Sequence, residues 1–185
     1  MKFVIGFVTA LAAVLVLGLA IALSGAFNVA ATNPDSALTT WVLHTTMRRS
    51  VAMRSSDIVP PKSFSDEDVR RGFEEFNAMC VTCHGAPGKK RSLAGKGLRP
   101  QAPNLVNAAR HWNAGNLYWI VKNGIKMTGM PAFGPTHDDA TLWNIVAFVS
   151  RLPDMTEKQY QQLEEQTAGS RSHSSGDSHS DGHAH

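Results

Sequence analysis

Two cysteines and a histidine lie within five consecutive residues, at Cys80, Cys83 and His84. Two thiols about one helical turn apart can each add to one vinyl group of a single haem, and the adjacent imidazole is then held beneath the iron as an axial ligand. A disulfide between residues three positions apart would close a very small ring and would stabilise the fold little. The motif therefore predicts one haem bound covalently through Cys80 and Cys83, with His84 on the iron.

The same cysteine spacing also occurs in redox dithiols of the thioredoxin type and in half of a zinc site. A redox dithiol is expected next to strands, whereas the residues around Cys80 and Cys83 have a helical pattern. A zinc site needs further thiol or imidazole ligands at paired spacing, and the chain has no second cysteine pair. We therefore favour haem over both alternatives.

A haem held by histidine on one side needs a ligand on the other, and the thioether of methionine is the usual one in electron carriers. Five of the seven methionines lie outside the candidate domain or on the histidine side of the iron: Met1, Met47, Met53, Met79 and Met155. Met130 lies between Gly129 and Pro131, in a rigid loop that can pass close to a flat cofactor, and Met127 lacks this setting. Met130 is the predicted sixth ligand; filling of the core is the alternative role for it.

Helices are the elements that would position these residues. Ser65–Asp68 has the chemistry of a helix cap, and the helix that follows runs into Cys80 with apolar residues at helical spacing. Residues 116–122 predict a short helix, and Asp138–Arg151 predicts the last helix of the domain. Residues 85–103 are rich in glycine and proline, and no segment alternates as a strand does. The sequence predicts an all-α domain over residues 65–153.

These features in order resemble the monohaem class I cytochrome c family, over about residues 65–153. Gly72 and Phe76 precede Cys80 at the spacing of that family's N-terminal helix, and Trp143–Val149 resembles its C-terminal helix. The resemblance implies that these two helices cross around one haem. It also implies that the carbonyl of Pro103, in a Pro-Asn-Leu segment, accepts the second ring N–H of His84 and fixes its tautomer.

The N-terminal residues 3–23 contain no charge and are long enough to span a bilayer as a helix. The alternative is a cleaved signal peptide, because Ala20-Ile21-Ala22 resembles a cleavage site, although signal apolar regions are usually only about 7–15 residues long. Either segment sends the rest of the chain out of the cytoplasm. We predict an anchor over residues 1–24 in the inner membrane of a bacterium, with the haem domain in the periplasm.

Residues 25–64 are predicted to form an extracytoplasmic stalk, with a helix that starts at Asn33-Pro34 and ends near Arg54. Its apolar residues give way to Arg48, Arg49 and Arg54. The helix is interpreted either as a plain stalk or as a docking element for a partner subunit or for anionic lipid head groups.

Residues 154–185 are predicted to form a polar, mostly disordered tail, because the composition beyond Glu165 cannot bury enough apolar surface to offset its ordering entropy. The tail carries four histidines that could bind copper or zinc weakly: His173, His179, His183 and His185. The histidines that stand alone are interpreted as ordinary surface or core residues: His44, His111 and His137.

The charge pattern bears on partners. A net charge of +3 without a recognition motif gives no support to nucleic-acid binding. The segment from Lys89 to Arg99 carries five cations and no acid, so it is either a docking surface for an acidic redox partner or an ordinary solvated loop.

With His84 and Met130 both on iron, no position is open for a substrate. The sequence therefore predicts an electron carrier between respiratory redox partners and not an enzyme. One alternative is the haem subunit of a larger membrane dehydrogenase or oxidase. Two alternatives of another class are a haem peroxidase, which would need an open sixth position, and a metal-handling protein that uses the histidine tail.

Overall fold

The computed structural model describes residues 1–174 of the chain, with the backbone alone described for 169–174. Over these residues the secondary structure is helical, and the only β-type pairing is an isolated bridge between Ala86 and Lys89. This confirms the predicted all-α class. The chain divides into two compact units, Met1–Ala37 and Leu38–His185, and each is described by itself.

The first unit is built on helix α1, Lys2–Ser24, which Gly25 ends in the left-handed conformation with φ of 69°. By length and composition α1 can cross a membrane, as the sequence predicted. A cleaved signal sequence would pass the same test, so retention of α1 in the mature protein stays a prediction.

The second unit contains eight further helices over the described residues. Their bounds are α2 Ala37–Arg54, α3 Asp66–Glu75, α4 Val81–His84, α5 Leu93–Gly97, α6 Leu105–Ala108, α7 Ala114–Asn123, α8 Asp139–Arg151 and α9 Glu157–Ser174. A π-helical segment, Phe76–Cys80, joins α3 to α4, and short 3-10 turns follow α6 and α8.

Helix α3 begins where the sequence predicted, because Ser65 and Asp68 form a reciprocal cap. Ser65 Oγ accepts from the Asp68 amide at 3.1 Å, and the Asp68 carboxylate accepts from the Ser65 amide at 2.8 Å. The acidic first turn also suits the positive end of the helix dipole.

Helices α3 and α8 pack against each other at the centre of the core. A Cβ at Gly72 would lie 1.8 Å from the backbone oxygen of Asn144, so only glycine allows this approach. Phe73 and Phe76 are fully buried beside Phe148 of α8, with ring centroids 5.4 and 5.0 Å from it. The N- and C-terminal helices of the domain therefore meet as the resemblance implied.

Gly72→Ala is expected to lower the free energy of unfolding by about 3 kcal/mol or more, at the upper end of overpacking costs. The obstacle is backbone, which cannot rotate away as a flexible side chain can. Denaturant unfolding of the purified protein measures the change.

Gly97→Ala is the matched control for that measurement. A Cβ at Gly97 meets nothing within 4 Å, so the free energy of unfolding should change by less than about 1 kcal/mol. Equal unfolding midpoints for the two variants would contradict the close approach of α3 and α8.

The predicted start of the stalk helix at Asn33-Pro34 is wrong, since α2 begins at Ala37. The amide of Asn33 instead donates to Ala30 O at 2.9 Å, which places Asn33 in a turn. The helix ends at Arg54, as predicted.

The predicted disordered tail over 154–185 is wrong for residues 157–174, which form α9. Tyr160 anchors this helix: it is fully buried, its ring lies 5.2 Å from that of Phe73, and its hydroxyl donates to Asn77 Oδ1 at 3.0 Å. Leu163 packs against the same core, and Glu164 pairs with Lys89. The 18-residue helix is polar in composition, and these contacts fix its first half to the domain. His179, His183 and His185 lie outside the described residues.

Candidate functional site

Cys80 and Cys83 lie where α3 passes through the π-helical segment into α4. Both thiols are free and half-buried. A π-helical turn widens the helix locally and is frequent at functional sites. Gly85, with φ of 70°, ends α4 directly after His84, and a Cβ there would lie 2.7 Å from Lys89 O. The local backbone therefore presents both sulfurs and the imidazole within one short helical stretch.

The His84 ring is oriented by the backbone of a distant loop. Its Nδ1 lies 2.8 Å from Pro103 O, and a carbonyl only accepts, so the proton of the neutral ring is on Nδ1. Burial lowers the pKa of His84, although the bond to Pro103 acts in the opposite direction. The ring is thus held neutral, with the lone pair of Nε2 available to a metal. This is the contact expected between His84 and Pro103; its use toward iron stays a prediction.

The state of the thiols bears on the alternatives to haem. Burial, followed by the charges of Glu75 and Cys83, raises the pKa of the Cys80 thiol to about 12. Redox dithiols work through a thiolate of lowered pKa, and the shift at Cys80 is in the opposite direction. Among residues 1–168, whose side chains the structure describes, no group of three or more potential metal-binding side chains occurs, so a zinc site at the cysteines has no further ligands there.

The loop between His84 and Pro103 lies directly against the attachment helix. The amide of Ser92 donates to Thr82 O at 3.0 Å, and a Cβ at Gly95 would lie 2.9 Å from the Cα of Cys83. Lys89, one of the five cations of this loop, pairs with Glu164. The cationic loop is therefore adjacent to the site, and its docking role stays a prediction.

The loop that carries Met130 is fastened to the end of α7. The amides of Phe133 and Gly134 donate to Val121 O at 3.1 Å and to Lys122 O at 2.9 Å. These are carbonyls of the last helical turn, which have no partner within the helix. The loop therefore occupies a defined position and is not a free surface excursion.

Within this loop the two candidate methionines differ sharply. Met130 is half-buried and packs against the core, and its amide donates to Thr128 Oγ1 at 3.1 Å. Met127 is 89% exposed, and its φ of 61° lies in the left-handed region. Thr128 also donates to Ile125 O at 2.7 Å, so its hydroxyl braces the turn from both sides. The burial favours Met130 over Met127.

An ion pair between the two ends of the Met130 loop was not predicted from the sequence. Lys122 Nζ lies 2.7 Å from Asp139 Oδ1 and 3.0 Å from the hydroxyl of Tyr118, whose ring stacks on Trp143 at 4.2 Å. This network ties α7 to α8 at the two ends of the Met130 loop. No local sequence motif indicates this network, because its members are separated along the chain. The hydrogen bonds of Thr128 were likewise not predicted from the sequence.

The other histidines of the described range take no part in this cluster. His44 and His111 are exposed, and His137 is half-buried beside Phe133, with Nδ1 2.8 Å from Thr136 Oγ1. Met130 and His137 are thus both half-buried, and Met130 is favoured because it packs against the core.

The donor set fits a covalently attached haem. It combines two free thiols one turn apart, an imidazole whose Nδ1 is already satisfied, and a half-buried thioether in a braced loop. Half-buried apolar residues adjoin the core around these groups, including Leu105, Trp112 and Phe133. Such residues can cover a flat apolar cofactor and keep water from it.

Residues 67–149 match a family model described as cytochrome C oxidase, cbb3-type, subunit III. The match begins in α3, ends in α8, and contains the attachment motif, Pro103 and the Met130 loop. It does not extend to α1, α2 or α9. A search of curated proteins found no match to the chain.

Proposed function

We propose that this chain, which belongs to the c-type cytochrome family, transfers single electrons through one haem. The haem is bound to Cys80 and Cys83, with His84 and Met130 as its axial ligands. Family membership implies haem-based electron transfer and agrees with the class I fold of crossing α3 and α8. The observation that carries the finer assignment is the bond from His84 Nδ1 to Pro103 O, because it orients the ring and leaves Nε2 for iron.

Each residue has a defined task in this function. Cys80 and Cys83 bind the haem as thioethers, and Pro103 holds the His84 ring in one tautomer. Met130 supplies a sulfur ligand that favours the ferrous state and raises the potential. When bound, the haem supplies one-electron oxidation and reduction. The surrounding apolar side chains exclude water from the haem. Electron transfer needs no coordination position on the iron for a substrate.

The proposed location is the inner membrane of a bacterium, with the haem domain in the periplasm. Support comes from α1, whose residues are long enough and apolar enough to anchor the chain. The partners in this setting are respiratory redox proteins, and the cationic loop beside the attachment helix suits an acidic docking surface.

A spectroelectrochemical titration of the full chain in detergent tests the electron-carrier assignment. We expect one reversible one-electron transition, and no binding of carbon monoxide to the reduced protein, because Met130 occupies the sixth position. Ready binding of carbon monoxide would contradict the assignment and indicate an open haem of the peroxidase or gas-binding kind.

A second candidate function is that of the haem subunit of a larger membrane oxidase or dehydrogenase. The family match favours it, since the described family is a subunit of a cytochrome c oxidase. Purification of the native protein in mild detergent distinguishes the two: stoichiometric co-purifying subunits indicate a complex, and their absence indicates an independent carrier.

A further inference from the structure

Helix α2 is docked onto the domain by its second half only. Val51 and Ser55 are buried, and Ser55 Oγ accepts from Asn116 Nδ2 at 2.5 Å. The guanidinium of Arg48 lies 5.5 Å from the ring centroid of Trp112. This half of α2 is therefore a fixed part of the domain, and the first half projects from it in a set direction.

The first half of α2 is apolar and uncovered. Four large apolar side chains within six residues are between 43% and 69% exposed: Leu38, Trp41, Val42 and Leu43. At 3.6 residues per turn the first three share one side of the helix, and Leu43 lies on the opposite side. Exposed apolar side chains thus lie on two sides of this end of the helix, with Thr39, Thr40 and His44 between them, and so much exposed apolar surface is unusual in water.

The positive charges of α2 are concentrated in its second half and are not confined to one face of the helix. No acidic residue occurs between Ser36 and Ser56, and the three arginines all lie in the second half: Arg48, Arg49 and Arg54. The arginines lie from about one and a half to three turns beyond the apolar end. This arrangement matches the order of a bilayer, in which anionic phosphates lie outside the acyl boundary. Trp41 is of the type enriched at that boundary.

The chain itself keeps α2 near a membrane. Twelve residues, 25–36, separate the end of α1 from the start of α2, and even fully extended they reach about 40 Å. A protein partner with one complementary face would cover one side of α2, whereas lipid surrounds an inserted helix end. The opposite placement of Leu43 therefore favours lipid over a partner subunit.

We propose that the first half of α2 inserts into the head-group region of the bilayer crossed by α1, with the arginines of its second half at the anionic phosphates. The helix then fixes the height and orientation of the haem domain above the membrane. The inference rests on the proposed function, in that α1 must be an uncleaved anchor.

Spin labelling of the full chain in nanodiscs of anionic phosphatidylglycerol tests this insertion. Both natural cysteines are consumed by the haem, so Val42→Cys provides the one site for a nitroxide. Met53→Cys, in the second half of α2 and 74% exposed, is the control. We expect the label at 42 to be several-fold less accessible to a water-soluble nickel chelate than the label at 53, and more accessible to oxygen.

The possible results distinguish failure of the α2 insertion from failure of the proposed membrane anchor. Equal nickel accessibility at the two positions overturns the inference. Protection of position 42 in native membranes but not in nanodiscs also overturns it, because that result would indicate that a protein partner covers α2. Unchanged accessibility in neutral phosphatidylcholine nanodiscs overturns the role given to the arginines. The N-terminus is sequenced in the same preparation. A chain that starts after Ala22 refutes the anchor, whereas an intact α1 with position 42 in water refutes the insertion alone.

Discussion

Met130→Ala is expected to lower the reduction potential by on the order of 0.1 V, within the roughly 0.8 V over which axial ligands set haem potentials. Thioether sulfur favours ferrous iron, and water or hydroxide in its place favours it less. The variant should also bind carbon monoxide or cyanide readily. The haem should stay attached, because Cys80, Cys83 and His84 are unaltered. Potentiometry and ligand titration measure both effects.

Met127→Ala is the control, because Met127 is in the same loop yet is almost fully exposed. Its potential and spectrum should match those of the parent protein. The ligand assignment is wrong if Met127→Ala opens the iron and Met130→Ala does not. If neither variant does so, a histidine is indicated, and His137, half-buried beside the loop, is tested first and His111 second.

Cys80→Ala combined with Cys83→Ala is expected to abolish covalent haem, since no other cysteine exists in the chain. Each single variant keeps one thioether and should retain haem less firmly. The haem that survives acid–acetone extraction, or that stays with the chain on a denaturing gel, is the quantity to measure.

Thr82→Ala is the matched control for the cysteine variants. Thr82 lies between the two cysteines and is exposed, and its backbone oxygen, which accepts from Ser92, is kept. Haem attachment should be unchanged. Undiminished covalent haem in the double cysteine variant would refute the haem assignment itself.

The sequence was informative where the signal is local. The capping residues of α3, the apolar stripe of α8 and the Cys80–His84 motif each lie within a few residues, so their pattern could be read directly. Met130 emerged by elimination, and its burial favours that choice. The helix predictions are confirmed because helix periodicity is a property of short segments, whereas the ligand assignments stay predictions.

Contacts between distant residues could not be predicted from local patterns, and those that were expected, such as His84 with Pro103, came from the family resemblance. The Lys122–Asp139 pair and the bond from Tyr160 to Asn77 join residues that no periodic pattern relates. Helix α9 was missed because its composition is polar and its order depends on Tyr160 inserting beside Phe73. The start of α2 was misplaced because asparagine is favoured in turns as well as at helix N-termini, and Asn33 lies in a turn.

The meeting of Gly72 with Asn144 has a consequence for the order of maturation. The attachment motif needs only residues 76–84 to form its turn, but the wall that buries α3 is supplied by α8, near the end of the chain. The chain is made from its N-terminus, so Cys80 and Cys83 emerge before α8 and α9 do. We therefore expect that haem can join the attachment motif before α8 and α9 pack against α3.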